Sequence, residues 1–402
     1  MRKVWSLLIV LIVIAAPLDH KPASAEAAVP DTGLQQSLEQ QDPIDFVVAT
    51  DEYNYLGTAN GLLYFKAPLW SKNPRNAKGQ LLQEYVITVN AKTNKVEWKL
   101  PIYGGFKFVE RTFFDKAGNL YSVVGAGLKQ SSNETFLYSI SPKGTMNWQT
   151  LFPDTLEIDG LINNKLFVHG RTTVYAVNLN GTVAWSKSFE RKKMQASHDV
   201  GGVTSNEILT LKYNSQHKAV SFDVLDWNLK TKLSYPLTAS STVEQSLKLN
   251  KEIYILKIKK SESTTLLAAI GTDGKQKWTK GIDPTTKQIY ILDGKLLFAN
   301  NKGFYVLNGN GEQLNHTPLA PMPYKGFGYR VRMDDKYISI SFDGRIQTKT
   351  ALTVLDRKSY KMLYSFAYPL QVEGQPAIHY DDIFFTQDRF FRVYDNQLIP
   401  FK

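Results

Sequence analysis

The sequence predicts an all-β fold, a β-propeller of about eight four-stranded blades, with seven as the alternative count. Three observations lead there. A phrase of strand, tight turn and tryptophan-bearing strand recurs along the chain, and its spacing suits one blade. The chain also carries a strand near each end that has no complete blade of its own.

The clearest copy of the phrase runs from Val174 to Trp185, VYAVNLNGTVAW. Phe136 to Trp148 (FLYSISPKGTMNW), Leu266 to Trp278 (LLAAIGTDGKQKW) and Tyr85 to Trp98 (YVITVNAKTNKVEW) repeat it. Phe304 to Asn315, Leu352 to Tyr364 and Phe222 to Tyr235 keep the pattern without the tryptophan, and Phe390 to Gln397 (FFRVYDNQ) begins an eighth copy. A further apolar strand precedes most copies: Leu120–Val124, Leu166–His169, Ile253–Leu256, Leu296–Ala299 and Ile383–Phe385.

Short runs rich in Val, Ile, Leu, Tyr and Phe suit pleated strands and are too brief for helices. Asn-Gly, Asp-Gly and Lys-Gly provide the positive φ that tight hairpins need. The mean spacing of about 44 residues between tryptophan positions accommodates four strands and their turns. No blade can bury both its faces alone, so radial stacking is required. Trp98, Trp148, Trp185 and Trp278 are therefore read as inter-blade packing residues, with sugar stacking as the functional alternative. An indole buries about 150–250 Å², worth about 4–6 kcal/mol as an upper bound. Asp45 to Thr50 precedes the first copy as a strand without a blade; pairing it with the C-terminal copy seals the ring.

Arg2 and Lys3, the apolar run Val4 to Ala16, Pro17, and Ala23-Ser24-Ala25 before Glu26 form a signal-peptide pattern. The alternative is an uncleaved anchor, although the run is short for a hydrocarbon core of roughly 30 Å. The expected organisation is a signal peptide at 1–25, a flexible N-terminal segment at 26–43 and one propeller domain at 44–402. No transmembrane segment is expected after cleavage. The absence of cysteine excludes a lipobox, disulfides, thiolate metal sites and C-x-x-C-H haem attachment.

The formal charge is +11, with lysine and arginine scattered along the chain. A net positive field favours anionic partners within about 8–10 Å. For an exported protein these are wall polymers, lipid head groups or acidic polysaccharides rather than nucleic acid.

VYAVNLNGTVAW and YVITVNAKTNKVEW resemble the repeat of quinoprotein dehydrogenases, the PQQ-like repeat of eight-bladed propellers. A similar repeat occurs in the non-catalytic scaffold lipoprotein of the outer-membrane β-barrel assembly machinery. The resemblance covers about residues 60–400; it departs in the first turn, where Thr-Asn replaces Thr-Gly, and in the lost tryptophans. It implies, for the enzymes, pyrroloquinoline quinone over the ring axis with a calcium or lanthanide ion, a catalytic carboxylate and often adjacent cysteines. Those cysteines are absent here, and Asp334-Asp335 and Asp381-Asp382 read as turn residues ahead of strands. No cofactor, metal or catalytic residue is therefore expected.

The histidines His169, His198, His217, His316 and His379 show no metal-binding spacing, so a zinc site requires assembly across blades. No G-x-S-x-G elbow, P-loop or EF-hand loop occurs. Pro318 to Asp335 gathers prolines, aromatics and basic residues between the sixth and seventh copies. Tyr324, Lys325, Phe327, Tyr329, Arg330 and Arg332 are the candidate binding surface. The structural alternative is an ordinary strand, with Tyr329, Val331 and Met333 on one face and Arg330 and Arg332 on the other. Pro68 to Gly79 reads as a basic hairpin extension.

The expectation is a monomeric, non-catalytic propeller, secreted or envelope-associated, that binds an envelope protein or an anionic cell-surface polymer. The alternative is an enzyme with a funnel site, a quinone-dependent dehydrogenase or a polysaccharide-processing enzyme.

Overall fold

The structure is a computed structural model that describes residues 44–45, 54–70, 81–102, 112–125, 134–189, 197–214, 216, 218–238, 241–319, 328–343, 349–369, 382–394 and 397–401. The expected signal peptide and the segment 26–43 lie outside the described residues. The described residues form strands and turns and no helix, so they include no helix long and apolar enough to cross a membrane.

Among the described residues the strands form eight antiparallel four-stranded sheets. Blades 1 to 7 are continuous in sequence and begin with the strands Asn54–Ala59, Phe113–Phe114, Glu157–Ile162, Ser197–Val203, Thr242–Lys248, Ile289–Leu292 and Gly328–Met333. Blade 8 is composite: Asp382–Thr386, Arg389–Tyr394 and Gln397–Phe401 are completed by Ile44–Asp45 as the outermost strand. Ile44 pairs with Leu398 and Asp45 with Gln397. The ends of the described chain thus share one sheet. FFRVYDNQ supplies the second strand of that blade rather than the third, because the third is Gln397–Phe401. Second and third strands share one pattern, an apolar run that ends in a turn, so this strand resembles a third strand in sequence.

Each blade buries its faces against its neighbours. Leu63, Phe65 and Ile87 of blade 1 pack on Phe384, Phe391 and Leu398 of blade 8. Tyr64 and Val86 on the opposite face of blade 1 pack on Leu120, Val124 and Tyr138 of blade 2. Similar two-blade cores follow from blade 2 through blade 7. Tyr364 of blade 7 meets Phe385 and Phe390 of blade 8 at ring-centroid distances of 5.5 and 5.2 Å.

The recurring tryptophan and the recurring turn glycine belong to one joint. The Trp98 indole N–H donates to Pro142 O at 2.9 Å, that of Trp148 to Leu179 O at 2.6 Å, and that of Trp278 to Gly309 O at 2.8 Å. Each acceptor lies in the third-to-fourth-strand turn of the next blade. Two residues on, Gly144, Gly181 and Gly311 have φ of +78°, +86° and +79°, and the indole lies against them. A Cβ on any of the three would stand 2.6–2.8 Å from the ring. Positive φ and ring contact both exclude a side chain. In blade 4, Leu229 (φ 64°) holds the glycine position, and Trp185 instead meets Trp227 edge-on at 5.0 Å. Where blade 8 meets blade 1, Arg389 donates to Ala91 O at 2.6 Å and Asn94 Oδ1 at 2.9 Å.

Buried inside the blade 1–2 interface is an ion pair, Lys66 Nζ to Glu84 Oε1 at 3.1 Å, with side chains 4% and 0% exposed.

Candidate functional site: the central channel

The first strands of the blades are innermost and surround a channel of about 1990 Å³. Its two ends differ. The face where first strands turn into second strands, and third into fourth, has connections of at most five residues. At the other face the described strands end where the chain leaves one blade for the next, as at Ile102, Thr317 and Pro369.

Four innermost strands carry a register shift: between Tyr55 and Gly57, Ile158 and Gly160, Val200 and Gly202, and Val243 and Gln245. A bulge re-aims the extra residue. In blades 3 and 5 that residue is an acid, and in both it meets a side chain of the second strand. Asp159 Oδ2 accepts from His169 Nδ1 at 2.8 Å, and its Oδ1 accepts from the Val203 N–H of blade 4 at 3.1 Å. Glu244 pairs with Lys257 at 2.8 Å, and Lys257 also donates to Lys287 O of blade 6 at 2.8 Å. Arg171 Nε donates to Asp199 Oδ2 at 3.0 Å. The Gln245 side-chain amide both donates to Ile289 O and accepts from its N–H, at 3.0 and 2.9 Å. The wall is thus stitched blade to blade by polar side chains.

Across the ring the wall is aromatic and basic. The rings of Tyr55 and Phe384 stack at 4.0 Å, and the Arg332 guanidinium lies 5.5 and 5.9 Å from them. This is cation–π distance. Burial pushes the Tyr55 hydroxyl up to about 12, against the pull of its Thr58 hydrogen bond. Thr386 Oγ1 bridges Thr58 Oγ1 and Asp334 Oδ2 at 3.2 and 3.3 Å, tying blades 8, 1 and 7.

At the turn-face end, Glu207 accepts from Lys232 and Lys248 Nζ at 2.5 Å each and from the Tyr254 hydroxyl at 2.8 Å. Burial works against the charged carboxylate, but those three hydrogen bonds outweigh it and hold its pKa below the ordinary value. A depressed folded pKa gives stability that is present above the unfolded pKa and is lost as pH falls through the folded one. Glu207→Gln is expected to lower unfolding free energy by about 2 kcal/mol at neutral pH and to flatten the acid limb of a stability–pH profile. An unchanged acid limb in urea titrations would remove Glu207 as its source.

The candidate surface residues divide. Tyr324, Lys325 and Phe327 lie outside the described residues. The Tyr329 side chain is 7% exposed and, with Val331, packs on Leu297, Phe304 and Leu319 of blade 6. Tyr329 therefore supplies core packing rather than an accessible ring, because strand alternation turns it away from the two arginines. Arg330 is exposed, Arg332 is half-buried, and both line the channel. His169 is in the channel wall, whereas His316 sits on the outer strand of blade 6 with Nε2 bonded to Lys302 O at 2.9 Å. The side chains of His198, His217 and His379 lie outside the described residues, as do Asp381 and most of Pro68–Gly79. Asp334 accepts from the Lys336 and Tyr337 N–H groups, both at 2.8 Å, which is turn chemistry. Among the described residues no three His, Asp or Glu side chains converge as a metal site does. The channel acids Asp159, Asp199 and Glu244 each go to a different partner, a donor set that does not fit a quinone-bound calcium ion.

No protein-family model matches the chain, and no curated protein does. Solved structures do match. The Dos1 propeller aligns with a TM-score of 0.54 at 11% identity, covering 90% of this chain and 95% of that one. The chain is a β-propeller. Apo AztD from Citrobacter koseri aligns at TM-score 0.41 and 11% identity, covering 73% of this chain and 93% of its own. The Pan2 WD40 domain of Neurospora crassa gives 0.43 and 12%, covering 74% and 89%. At these identities the likeness concerns the fold.

Proposed function

We propose that this propeller is an exported, non-catalytic binding platform for an envelope protein or an anionic cell-surface polymer. The observation that carries the reading is the pairing of three of the channel's acids. Asp159 is held by His169 and a backbone N–H, Asp199 by Arg171, and Glu244 by Lys257. The ion pairs of Asp199 with Arg171 and of Glu244 with Lys257 fix the shape of a recognition surface. The tryptophan-on-glycine joint supports a PQQ-like repeat, which we read as one of the non-catalytic branch working as a monomer. The leader pattern before Glu26 supports a secreted or envelope-associated location.

The test uses the protein beginning at Glu26, immobilised and titrated with poly(glycerol phosphate) and with a neutral glucan. Saturable binding of the phosphate polymer that weakens as salt rises supports the reading. Equal binding of the neutral glucan, or stoichiometric calcium with a quinone-like absorption band in the purified protein, overturns it.

A further inference from the structure

We infer that the upper half of the channel, away from the short hairpin turns, is bipolar and takes an extended peptide segment carrying both a cationic and an acidic side chain. The inference rests on the binding-platform reading and specifies its ligand.

In a ring of eight blades, blade 3 stands opposite blade 7. Blade 3 contributes Glu157 and the bulged Asp159 to the channel, and blade 5 adds Glu244. Blade 7 contributes Arg330 and Arg332, and the approach to blade 6 adds Lys287. The heights match as well. Arg330 pairs with Ser341, three residues above the first rung Met333–Ile338. Asp159 lies between Ile158, paired with Val168 three residues above the rung Ile162–Lys165, and Gly160, paired with Phe167. Acid and guanidinium therefore occupy about the same level on opposite walls. Glu157 is exposed and forms no ion pair among the described residues. The positive wall is Arg330, exposed, above Arg332, which the Tyr55–Phe384 stack holds in place.

A polyanion drawn to Arg330 must bring its next charges past Glu157 on the opposite wall, where like charges are destabilising in a partly desolvated space. A chain with one charge of each sign meets both walls favourably. A peptide also suits the wall's backbone. Each first strand is the inner edge of its sheet, so its outward N–H and C=O groups face the channel, and an extended main chain can pair with them. Blade 7 offers the regular edge: Gly328–Met333 pairs with its neighbour without a register shift. The 1990 Å³ volume admits several residues of extended chain.

The test measures fluorescence anisotropy of four labelled probes on the protein beginning at Glu26: a peptide with a lysine block and a glutamate block, all-glutamate and all-lysine peptides of the same length, and poly(glycerol phosphate). The mixed peptide is expected to bind most tightly. Arg330→Glu or Glu157→Lys should each weaken it roughly tenfold. The double exchange restores binding, because a free peptide can reverse its direction. Both side chains are exposed, and thermal midpoints report that the variants fold. Tightest binding by the phosphate polymer or all-glutamate peptide overturns the bipolar inference and leaves the anionic-platform reading standing. Failure of all four probes on folded protein overturns both. Loss in both single variants without recovery in the double assigns the residues a local structural role and also overturns the inference.

Discussion

Replacing Lys66 with methionine is expected to lower the free energy of unfolding by about 3–5 kcal/mol at neutral pH, because it removes the cation that faces the buried Glu84. The Glu84 side chain is 0% exposed and Lys66 Nζ stands 3.1 Å away. Burial pushes the Glu84 pKa above its ordinary 4.5, and Lys66 pulls the other way. A raised folded pKa means that the folded state holds the proton more tightly than the unfolded chain does. That contribution to stability is fully present below the unfolded value and is lost as pH rises through the folded one. Without Lys66 the pull toward the charged form is gone, so the loss should be largest at pH 8 and shrink toward pH 5 and below. Urea denaturation at the two pH values measures it. The Lys66→Met/Glu84→Leu double variant should recover much of the loss, since apolar replacement of a buried pair is often neutral. A pH-independent loss, or a double variant as unstable as the single, would sink this account.

Gly181→Val is expected to cost about 3 kcal/mol. The residue sits at φ +86°, and its Cβ would lie 2.7 Å from the Trp148 ring. Left-handed backbone strains a β-branched residue by roughly 1–3 kcal/mol, and the displaced indole loses its 2.6 Å bond to Leu179 O, worth about 1 kcal/mol. Gly294 provides the control. Its φ is +70° with nothing within 4 Å of a Cβ, so Gly294→Ala carries backbone strain alone, about 1 kcal/mol. Denaturant midpoints give both values, and a red shift in tryptophan emission reports the unseated ring. Equal losses at the two glycines would show that the joint contributes nothing.

The sequence carried the blade in its outer three strands and hid the innermost one. Phe136 to Trp148 and Val174 to Trp185 are legible because those strands pack on both faces, so apolar runs, turn glycines and tryptophans repeat. The innermost strands of blades 3, 4 and 5 read EIDGLI, SHDVGGV and TVEQSLK. One edge of each faces a water-accessible channel and a bulge breaks the alternation, so period-two hydrophobicity fails where the site is built. Arg330 and Arg332 alternate legibly with Tyr329, Val331 and Met333 because their strand is unbulged. Asp159, Glu244 and Gln245 were missed, since their meaning depends on blades dozens of residues away. The available signal was local: Leu56-Gly57, Asp159-Gly160 and Gly201-Gly202 stand shortly before second strands, where a glycine marks a bulge.

The composite eighth blade sets the timetable of folding. Ile44 pairs with Leu398 across some 350 residues of intervening chain. A chain made or threaded from its N-terminus thus presents its closing strand first and must keep it unpaired until everything else has appeared. Contacts of such span form slowly, and an unpaired strand edge waiting for its partner is open to pairing with other chains. Shielding Ile44–Asp45 until the last strand arrives is therefore the step at which assembly of this ring is most exposed to error.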